Sequence, residues 1–337
     1  DSTTAAGGYR SVFAKRVDAR NTVIWGPAAV SPGYFSRGDS QSYAVSDGTG
    51  GVIAAWFGAD GVAYAQRYNA AGAAQWTAGG VQISTGATEG GEFLKNAAGG
   101  LFALFGYTSG SGMVVAVQSV NNAGQCLWPI AGNCVSVATG TVLGGDFSGD
   151  SGAVDGGSGS LLFAWGGTNA GKMDLYAAKV AAGGTVLWNK TLSATSGDEG
   201  SIVVKGISDG SGGVYLVWSS STTGAPALYT RRFDSSGNAY TGWVSALQLT
   251  SAYATNDYSV SLAKDEDGFA VLYTTASYSP DEVRIVRSSA AINALAPGWS
   301  LNGIIAGNGE VKEDSALVYD GSAYHFAWSD QVDGDNG

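Results

Sequence analysis

The feature that most constrains the fold is a sequence pattern that recurs along the whole chain. Each copy contains a glycine-rich turn and then a short apolar strand that ends in an aromatic residue, as in GGVIAAWF around Trp56. The aromatic residues at this position are spaced 49 to 60 residues apart and are Trp56, Phe105, Trp165, Trp218, Tyr273 and Trp328. Self-similarity at such a period is typical of a chain built from one stacked structural unit.

Each repeat contains enough strand-like segments for a four-stranded sheet. A short alternating strand precedes the glycine turn, and two further strands follow the apolar one. The last strand of each repeat carries one tryptophan, at Trp25, Trp76, Trp128, Trp188, Trp243 and Trp299. Because they recur at a fixed position, we interpret these tryptophans as packing residues between repeats. We expect the third-strand arginines to cover neighbouring repeats as well, namely Arg16, Arg67, Arg231 and Arg287.

The two ends of the chain are complementary halves of one repeat. Residues 313–330 supply its first two strands, and residues 9–30 supply its last two. Joining them closes a ring and removes the open strand edges of a linear array. We therefore predict an all-β, single-domain, six-bladed β-propeller, in which the N-terminal strands pair with the C-terminal strands in one blade. The predicted blades are 39–85, 89–137, 146–193, 198–249, 257–304, and 313–337 joined to 9–30.

The repeat has a recognisable motif. It reads D-x-x-G-G-x-x-x-x-W from Asp47 to Trp56, then Y-x-Q-R, N-x-x-G and a late tryptophan. This motif resembles the repeats of exported, mostly uncharacterised bacterial β-propeller proteins. The resemblance implies the propeller fold and says almost nothing about activity. The second repeat departs from the motif, because Asn96 stands in place of the aspartate and Phe105 in place of the tryptophan.

Charge and hydropathy exclude two classes of partner. The 28 acidic and 17 basic residues give a net charge of −11, which would repel a phosphate backbone, so we expect no nucleic-acid partner. No apolar run approaches the roughly 20 residues that span a bilayer. The chain opens on the small and polar residues DSTTAAGG, as a mature end left after signal removal would. We expect a secreted or cell-surface protein.

The two cysteines lie close together in the sequence QCLWPIAGNC. A proline and a glycine between Cys126 and Cys134 would let the chain turn back on itself. In an exported protein this spacing predicts a local disulfide, and the alternative is a pair of free thiols.

An acidic residue recurs near the start of each first strand. The candidates are Asp39, Glu89 or Glu92, Asp146 or Asp150, Asp198 or Glu199, Asp257, and Glu313 or Asp314. The innermost strands of a propeller line its axis, so these carboxylates would surround one mouth of the channel, where a bound Ca²⁺ would relieve their repulsion. Alternatively, each acid caps the turn before its strand. The calcium hypothesis names Asp39, Asp150, Asp198, Asp257 and Asp314 as ligands.

Several aromatic residues lie outside the repeat motif. They occur in segments that lead into first strands or join second to third strands, and they are Tyr34, Phe35, Tyr253, Tyr258 and Tyr278. In propellers these two classes of loop emerge on the same face. We expect these residues to offer stacking surfaces for sugar rings or for a protein partner.

Little in the sequence supports acyl-transfer chemistry. His325 is the one histidine of the chain and lies in a strand-like segment. The sequence therefore gives little support for a Ser-His-Asp or Cys-His catalytic set, and we predict no catalytic residue. The sequence favours an extracellular, non-enzymatic module for ligand binding, adhesion or surface assembly, with a glycan, a protein or its own copies as partner. The alternative is a calcium-dependent hydrolase or lyase that acts on polysaccharide or ester substrates through channel carboxylates.

Overall fold

The computed structural model describes most of the 337-residue chain. The described residues are 12–29, 42–58, 61–84, 88–109, 112–128, 135–136, 151–169, 172–192, 204–220, 227–251, 260–275, 281–309 and 311–330. Their regular secondary structure consists of 24 β-strands. In this part of the chain no helix is long and apolar enough to cross a membrane.

The described strands form seven sheets, in which neighbours in the sheet are also neighbours in the chain. Five sheets have four strands, and the two at the ends of the chain have two strands. The prediction of an all-β chain built from four-stranded sheets is confirmed. In chain order, the sheets are β1 (Phe13–Val17) and β2 (Val23–Ala29); β3 (Ser42–Ser46), β4 (Val52–Phe57), β5 (Ala63–Tyr68) and β6 (Val81–Gln82); β7 (Thr88–Lys95), β8 (Leu101–Ser109), β9 (Gly112–Val120) and β10 (Val135–Ser136); β11 (Ser151–Asp155), β12 (Leu161–Asn169), β13 (Lys172–Val180) and β14 (Val186–Thr191); β15 (Val204–Ser208), β16 (Val214–Ser220), β17 (Ala227–Phe233) and β18 (Leu247–Gln248); β19 (Val260–Lys264), β20 (Gly268–Thr275), β21 (Asp281–Ser289) and β22 (Ile304–Gly309); and β23 (Val311–Tyr319) with β24 (Tyr324–Asp330).

In two of the four-stranded sheets the second strand is almost completely buried. All seven residues of β16 are buried, and seven of the eight residues of β20 are buried. Burial on both faces requires a continuous apolar run rather than an alternating one. The fourth strand β14 alternates between half-buried and exposed positions, as a strand with one solvated face does. The apolar runs of the sequence therefore mark strands that are packed on both sides.

Close contacts divide the chain into two compact units. The first comprises residues 1–149, 157–161 and 180–187, and the second comprises residues 150–156, 162–179 and 188–337. In the first unit, Ile53 of β4 and Leu101 of β8 belong to one core cluster between two successive sheets. In the second unit, Val217 of β16 and Phe269 of β20 share a core cluster in the same way. Sheets within a unit therefore pack face to face.

The two terminal hairpins each pack on the adjacent sheet of their own unit. Trp25 of β2 stacks on Tyr68 of β5, with ring centroids 5.8 Å apart. Leu317 of β23 and Trp328 of β24 pack on the apolar face of sheet β19–β22. The hairpins β1–β2 and β23–β24 are separate two-stranded sheets, so their pairing into one blade remains a prediction.

Candidate binding surface and its scaffold

A buried aspartate closes the turn between the first and second strands. Asp47 accepts hydrogen bonds from the backbone N–H groups of Thr49 at 2.8 Å and Gly51 at 2.7 Å. Its other oxygen accepts a hydrogen bond from Nη2 of Arg67 at 3.0 Å. Burial alone would raise the pKa of Asp47, but these hydrogen bonds outweigh burial and lower the pKa to about 2. The carboxylate is therefore charged and fully occupied in the turn.

The same ion pair recurs in the second unit, where Arg232 bonds to Asp209 and Arg287 bonds to Asp265. Sheet β7–β10 replaces it with a neutral pair. Nδ2 of Asn96 donates to Oγ of Ser119 at 3.1 Å, and Ser119 occupies the third-strand position that Arg67, Arg232 and Arg287 hold in their sheets. The departure of the second repeat from the motif is therefore a matched replacement of both partners.

Side chains of one sheet donate to a single backbone carbonyl of the next sheet, at the turn between its third and fourth strands. We call this acceptor the turn carbonyl. Nε1 of Trp76 and Nη1 of Arg67 both donate to the turn carbonyl of Asn122, at 2.9 and 3.1 Å. The other indole contacts are Trp128 to Ala182 at 2.8 Å, Trp188 to Ser235 at 3.1 Å, and Trp243 to Ala290 at 3.3 Å. These four tryptophans are packing residues, as their recurrence in the sequence indicates.

Of the four third-strand arginines, Arg16 and Arg67 follow this pattern, whereas Arg287 donates to Asp265 of its own sheet. Arg16 donates to the turn carbonyl of Ala70 at 2.7 Å. Arg231 does not reach a neighbouring sheet, because it donates to the carbonyls of Trp243 and Val244 in its own sheet. The adjacent residue Arg232 makes the contact with the next sheet, at 3.2 Å from the carbonyl of Ala290. Successive residues of a strand point to opposite faces, so a shift of one residue exchanges these roles.

The two ends of each four-stranded sheet are chemically different. In sheet β15–β18, the turns of residues 209–213 and 234–238 lie at one end, which we call the turn end. The connection of residues 221–226 and the start of β15 lie at the opposite end, which we call the loop end. The turn end carries the Asp–Arg ion pairs and the turn carbonyls. The connections between sheets start and finish at the loop end.

Of the side chains named above as candidate ligands, the described part of the chain includes only Glu92, which is half-buried in β7 and pairs with Leu104 of β8. Asp314 lies in β23, but nothing is described of its side chain. The residues that lie outside the described residues are Asp39, Asp150, Asp198, Asp257, Tyr34, Phe35, Tyr253, Tyr258 and Tyr278. Among the residues that are described, no group of three or more His, Cys, Asp or Glu side chains is placed to hold a metal ion. The calcium site and the aromatic site stay predictions.

Chain connectivity assigns both the predicted calcium ligands and the predicted aromatic residues to the loop ends of their sheets. Tyr258 comes two residues before β19, whose first residue, Val260, pairs with Tyr273 of β20. Tyr278 lies in the connection between β20 and β21. The start of β19 and the end of β20 lie side by side, about 5 Å apart, because Val260 pairs with Tyr273.

Polar contacts hold the strands together near this loop end. The hydroxyl of Tyr273 donates to the carbonyl of Asn302 at 2.8 Å, and burial raises its pKa. Arg284 donates to the same carbonyl at 3.2 Å and pairs with Glu282 at 2.6 Å. The backbone N–H of Ser251 donates to the side-chain oxygen of Asn302 at 2.6 Å. The described strands at this loop end are therefore joined by several polar contacts.

A cleft of about 420 Å³ lies in the first unit, between hairpin β1–β2 and sheet β3–β6. It is lined by β1, by Trp25, by residues 42–44 of β3 and by residues 50–54 at the start of β4. Strand β1 pairs with β2 along one edge, and its other edge has no strand partner among the described residues. The cleft therefore combines an open strand edge with a mixed polar and apolar lining.

The predicted disulfide is not present in the described residues. Cys126 carries a free, half-buried thiol, and burial raises its pKa. Its predicted partner Cys134 lies outside the described residues, so the disulfide stays a prediction.

No protein-family model and no curated protein matches the sequence. Among solved structures, the chain is similar to a fucose-recognising lectin of Aleuria aurantia, described as a six-bladed β-propeller, at 12% identity and a TM-score of 0.43 over 88% of this chain and 95% of the lectin. It is similar to an endo-arabinase of Bacteroides thetaiotaomicron at 11% identity and a TM-score of 0.44. This match covers 76% of this chain and 98% of the arabinase. It is also similar to an ulvan lyase at 11% sequence identity and a TM-score of 0.46. This match covers 83% of this chain and 72% of the lyase. Similarities this distant assign no substrate or activity to this chain.

Proposed function

We propose that this chain is an extracellular, non-enzymatic binding module. Its fold is a six-bladed β-propeller in which β1–β2 complete the blade begun by β23–β24. The resemblance of its repeats to exported bacterial propeller proteins supports a secreted or cell-surface location. The partner is a glycan or a protein at the cell surface or matrix, and surface assembly of the chain itself is the corresponding structural role.

The observation that carries this proposal is the structural difference between the turn ends and the loop ends of the sheets. At the turn end, the recurrent Asp, Arg and Trp side chains are engaged in hydrogen bonds within and between sheets. At the loop end, the connections between sheets vary from one residue, at position 310, to fourteen, at positions 137–150. Variable connections on a uniform scaffold are the usual location of binding residues. The aromatic residues outside the repeat motif all belong to these connections or to the neighbouring hairpin.

Removal of the tyrosines of sheet β19–β22 is expected to abolish glycan binding. Each tyrosine that stacks on a sugar ring contributes about 1 kcal/mol, or roughly a fivefold change in affinity, so the triple variant Tyr253→Ala, Tyr258→Ala, Tyr278→Ala should lose about a hundredfold. A panel of immobilised neutral and acidic glycans, probed with labelled protein, measures the change. The matched control is Ile292→Ala, which removes an exposed apolar residue from the turn end of the same sheet. Unchanged binding by the triple variant would contradict this location of the site.

The recurrence of acids before the first strands favours a second candidate function. Asp39, Asp150, Asp198 and Asp257 all precede first strands at loop ends, and Asp314 lies in β23. Oxygen ligands of this kind suit Ca²⁺, and a bound calcium would support a polysaccharide hydrolase or lyase. Release of sugar products in millimolar Ca²⁺, absent in EDTA, would favour this enzyme over the binding module.

A further inference from the structure

The exposed apolar side chains of the four-stranded sheets are concentrated in one segment of each repeat. This segment follows the turn between the third and fourth strands and contains the fourth strand, and we call it the rim segment. The rim segments are residues 74–82, 126–136, 186–191, 239–248 and 295–309. Six large apolar side chains in them are 41–80% exposed, namely Leu127, Leu187, Val244, Leu301, Ile304 and Ile305. A concentration of this kind marks an interaction surface more often than scattered exposed residues do.

The rim segments are also almost free of charge. Of the 28 acidic and 17 basic residues of the chain, they contain only Lys190. Nζ of Lys190 donates to the carbonyl of Ser236 and to Oδ1 of Asn238, both at 2.8 Å, so this cation contacts the scaffold itself. The net charge of −11 is therefore carried by the other segments. Two copies of this acidic chain would repel each other least where their rim segments meet.

Strand β22 has the least protected outer edge among the described fourth strands. It pairs with β21 along one edge, and its other edge has no strand partner in the described part of the chain. Natural sheets protect such edges with short strands, charged residues or bulges. Strands β6, β10 and β18 have two residues each and β14 carries Lys190, whereas β22 is six residues long and uncharged. Its bulge at Ala306 leaves the residues on either side in register with β21.

Two isoleucines add apolar surface to this edge. Ile304 is 59% exposed and Ile305 is 49% exposed. The position of Ile305 is polar in the preceding sheet, because Gln248 of β18 pairs with Tyr229 as Ile305 pairs with Arg284. Strand β22 therefore combines open backbone groups with exposed apolar side chains, which is the combination that strand addition uses.

We propose that β22 is a self-association surface, at which β22 of one copy pairs antiparallel with β22 of a second copy. An antiparallel pair of identical strands is related by a twofold axis, so each copy supplies the same surface and the edge N–H and C=O groups of one copy meet those of the other. The absence of charge from β22 favours an equally uncharged partner strand, and a second β22 supplies one. This inference rests on the assembly role in the proposed function and names its contact surface.

A charge placed on the edge of β22 tests this surface. Wild-type protein is expected to convert from monomer to dimer as its concentration rises from micromolar to millimolar, as measured by sedimentation velocity. Ile305→Lys should raise the dissociation constant of the dimer at least about tenfold, because the twofold axis brings two lysines to one apolar contact. The matched control is Gln248→Lys, which places the same charge at the equivalent position of the short strand β18 and should leave the dimer unchanged.

Circular dichroism of both variants verifies that they are folded, as expected for exposed positions. A wild-type protein that stays monomeric over the whole concentration range would overturn the proposal. Equal weakening of the dimer by Ile305→Lys and Gln248→Lys would overturn it as well, because the effect would then be one of net charge.

Hydrogen exchange measured by mass spectrometry locates the contact in the wild-type protein. The amides of residues 304–309 should exchange more slowly in concentrated than in dilute protein, and those of β18 should not change. Protection that appears only elsewhere would overturn the pairing of β22. Glycan binding reports separately on the proposed function, since monomeric Ile305→Lys should still bind. A dimer that binds no glycan would overturn the glycan-binding role and leave the pairing of β22 intact.

Discussion

Replacing Trp128 by alanine is expected to lower the free energy of unfolding by about 3–5 kcal/mol. Trp128 is 1% exposed, stacks on Phe102 with ring centroids 5.5 Å apart, and donates to the turn carbonyl of Ala182. The indole also lies against Gly184, where an added Cβ would come within 2.9 Å of the ring. Alanine would leave a large cavity, and the carbonyl would lose its donor.

Urea denaturation followed by far-UV circular dichroism measures this loss. The matched control is Trp188→Ala, because Trp188 makes the same contact with the turn carbonyl of Ser235 but is only half-buried. We expect the control to lose markedly less stability than Trp128→Ala, since less apolar surface returns to water. Equal, small losses in the two variants would contradict the role of the buried indole in joining successive sheets.

Replacing Asp47 by alanine is expected to have an effect of similar size, about 3–5 kcal/mol, because removal of one partner of a buried ion pair leaves the other charge uncompensated. The side chain of Arg67 is 17% exposed and that of Asp47 is fully buried. The backbone N–H groups of Thr49 and Gly51 would also lose their acceptor. Thermal and urea denaturation at pH 7 measure the loss.

A matched control lies in the next turn of the same sheet. The side chain of Asn69 accepts hydrogen bonds from the N–H groups of Ala71 and Ala73, both at 3.0 Å, without any ion pair. Asn69→Ala should therefore cost only about 1 kcal/mol per hydrogen bond lost. A loss for Asp47→Ala no greater than this control would contradict the account of the buried pair.

The pH dependence of stability distinguishes the contribution of the charge of Asp47 from the contribution of its shape. Its pKa is about 2 in the folded protein, below the value of about 3.9 in an unfolded chain. The carboxylate therefore contributes stability above about pH 4, and this contribution is lost as the pH falls towards 2. Wild-type protein should lose stability more steeply across this window than Asp47→Ala does.

The parts of the fold that depend on local periodicity could be predicted from the sequence. Apolar runs such as the one ending at Trp218 predicted the second strands, and the regular position of Trp76 and Trp128 predicted packing residues. The ion pairs could not be predicted in this way, because Asp47 and Arg67 meet only when the register of three strands is known. The same limit applies to Arg231 and Arg232, whose roles differ because neighbouring residues face opposite sides of a strand.

The candidate site was predicted less completely, for a related reason. Sequence reasoning placed the functional acids before the first strands, whereas the buried Asp47, Asp209 and Asp265 lie in the turns at the opposite ends of the sheets. A signal for the turns was present, because an aspartate and a third-strand arginine occur together in several repeats and are replaced together by Asn96 and Ser119. A binding surface formed by several connections has no such internal repetition, so the sequence gives the residues of the loop ends but not their mutual arrangement.

The central proposal is the ring closure predicted from the sequence, in which the N-terminal strands pair with the C-terminal strands in one blade. Residue-resolved amide hydrogen exchange by NMR, on protein shown to be monomeric by light scattering, tests it most directly. Closure predicts that the amides of β1 that do not bond to β2 are protected as strongly as those of β5, a third strand that is paired on both sides. Exchange of these β1 amides at the rate of an exposed strand edge, in a folded monomer, would contradict the claim.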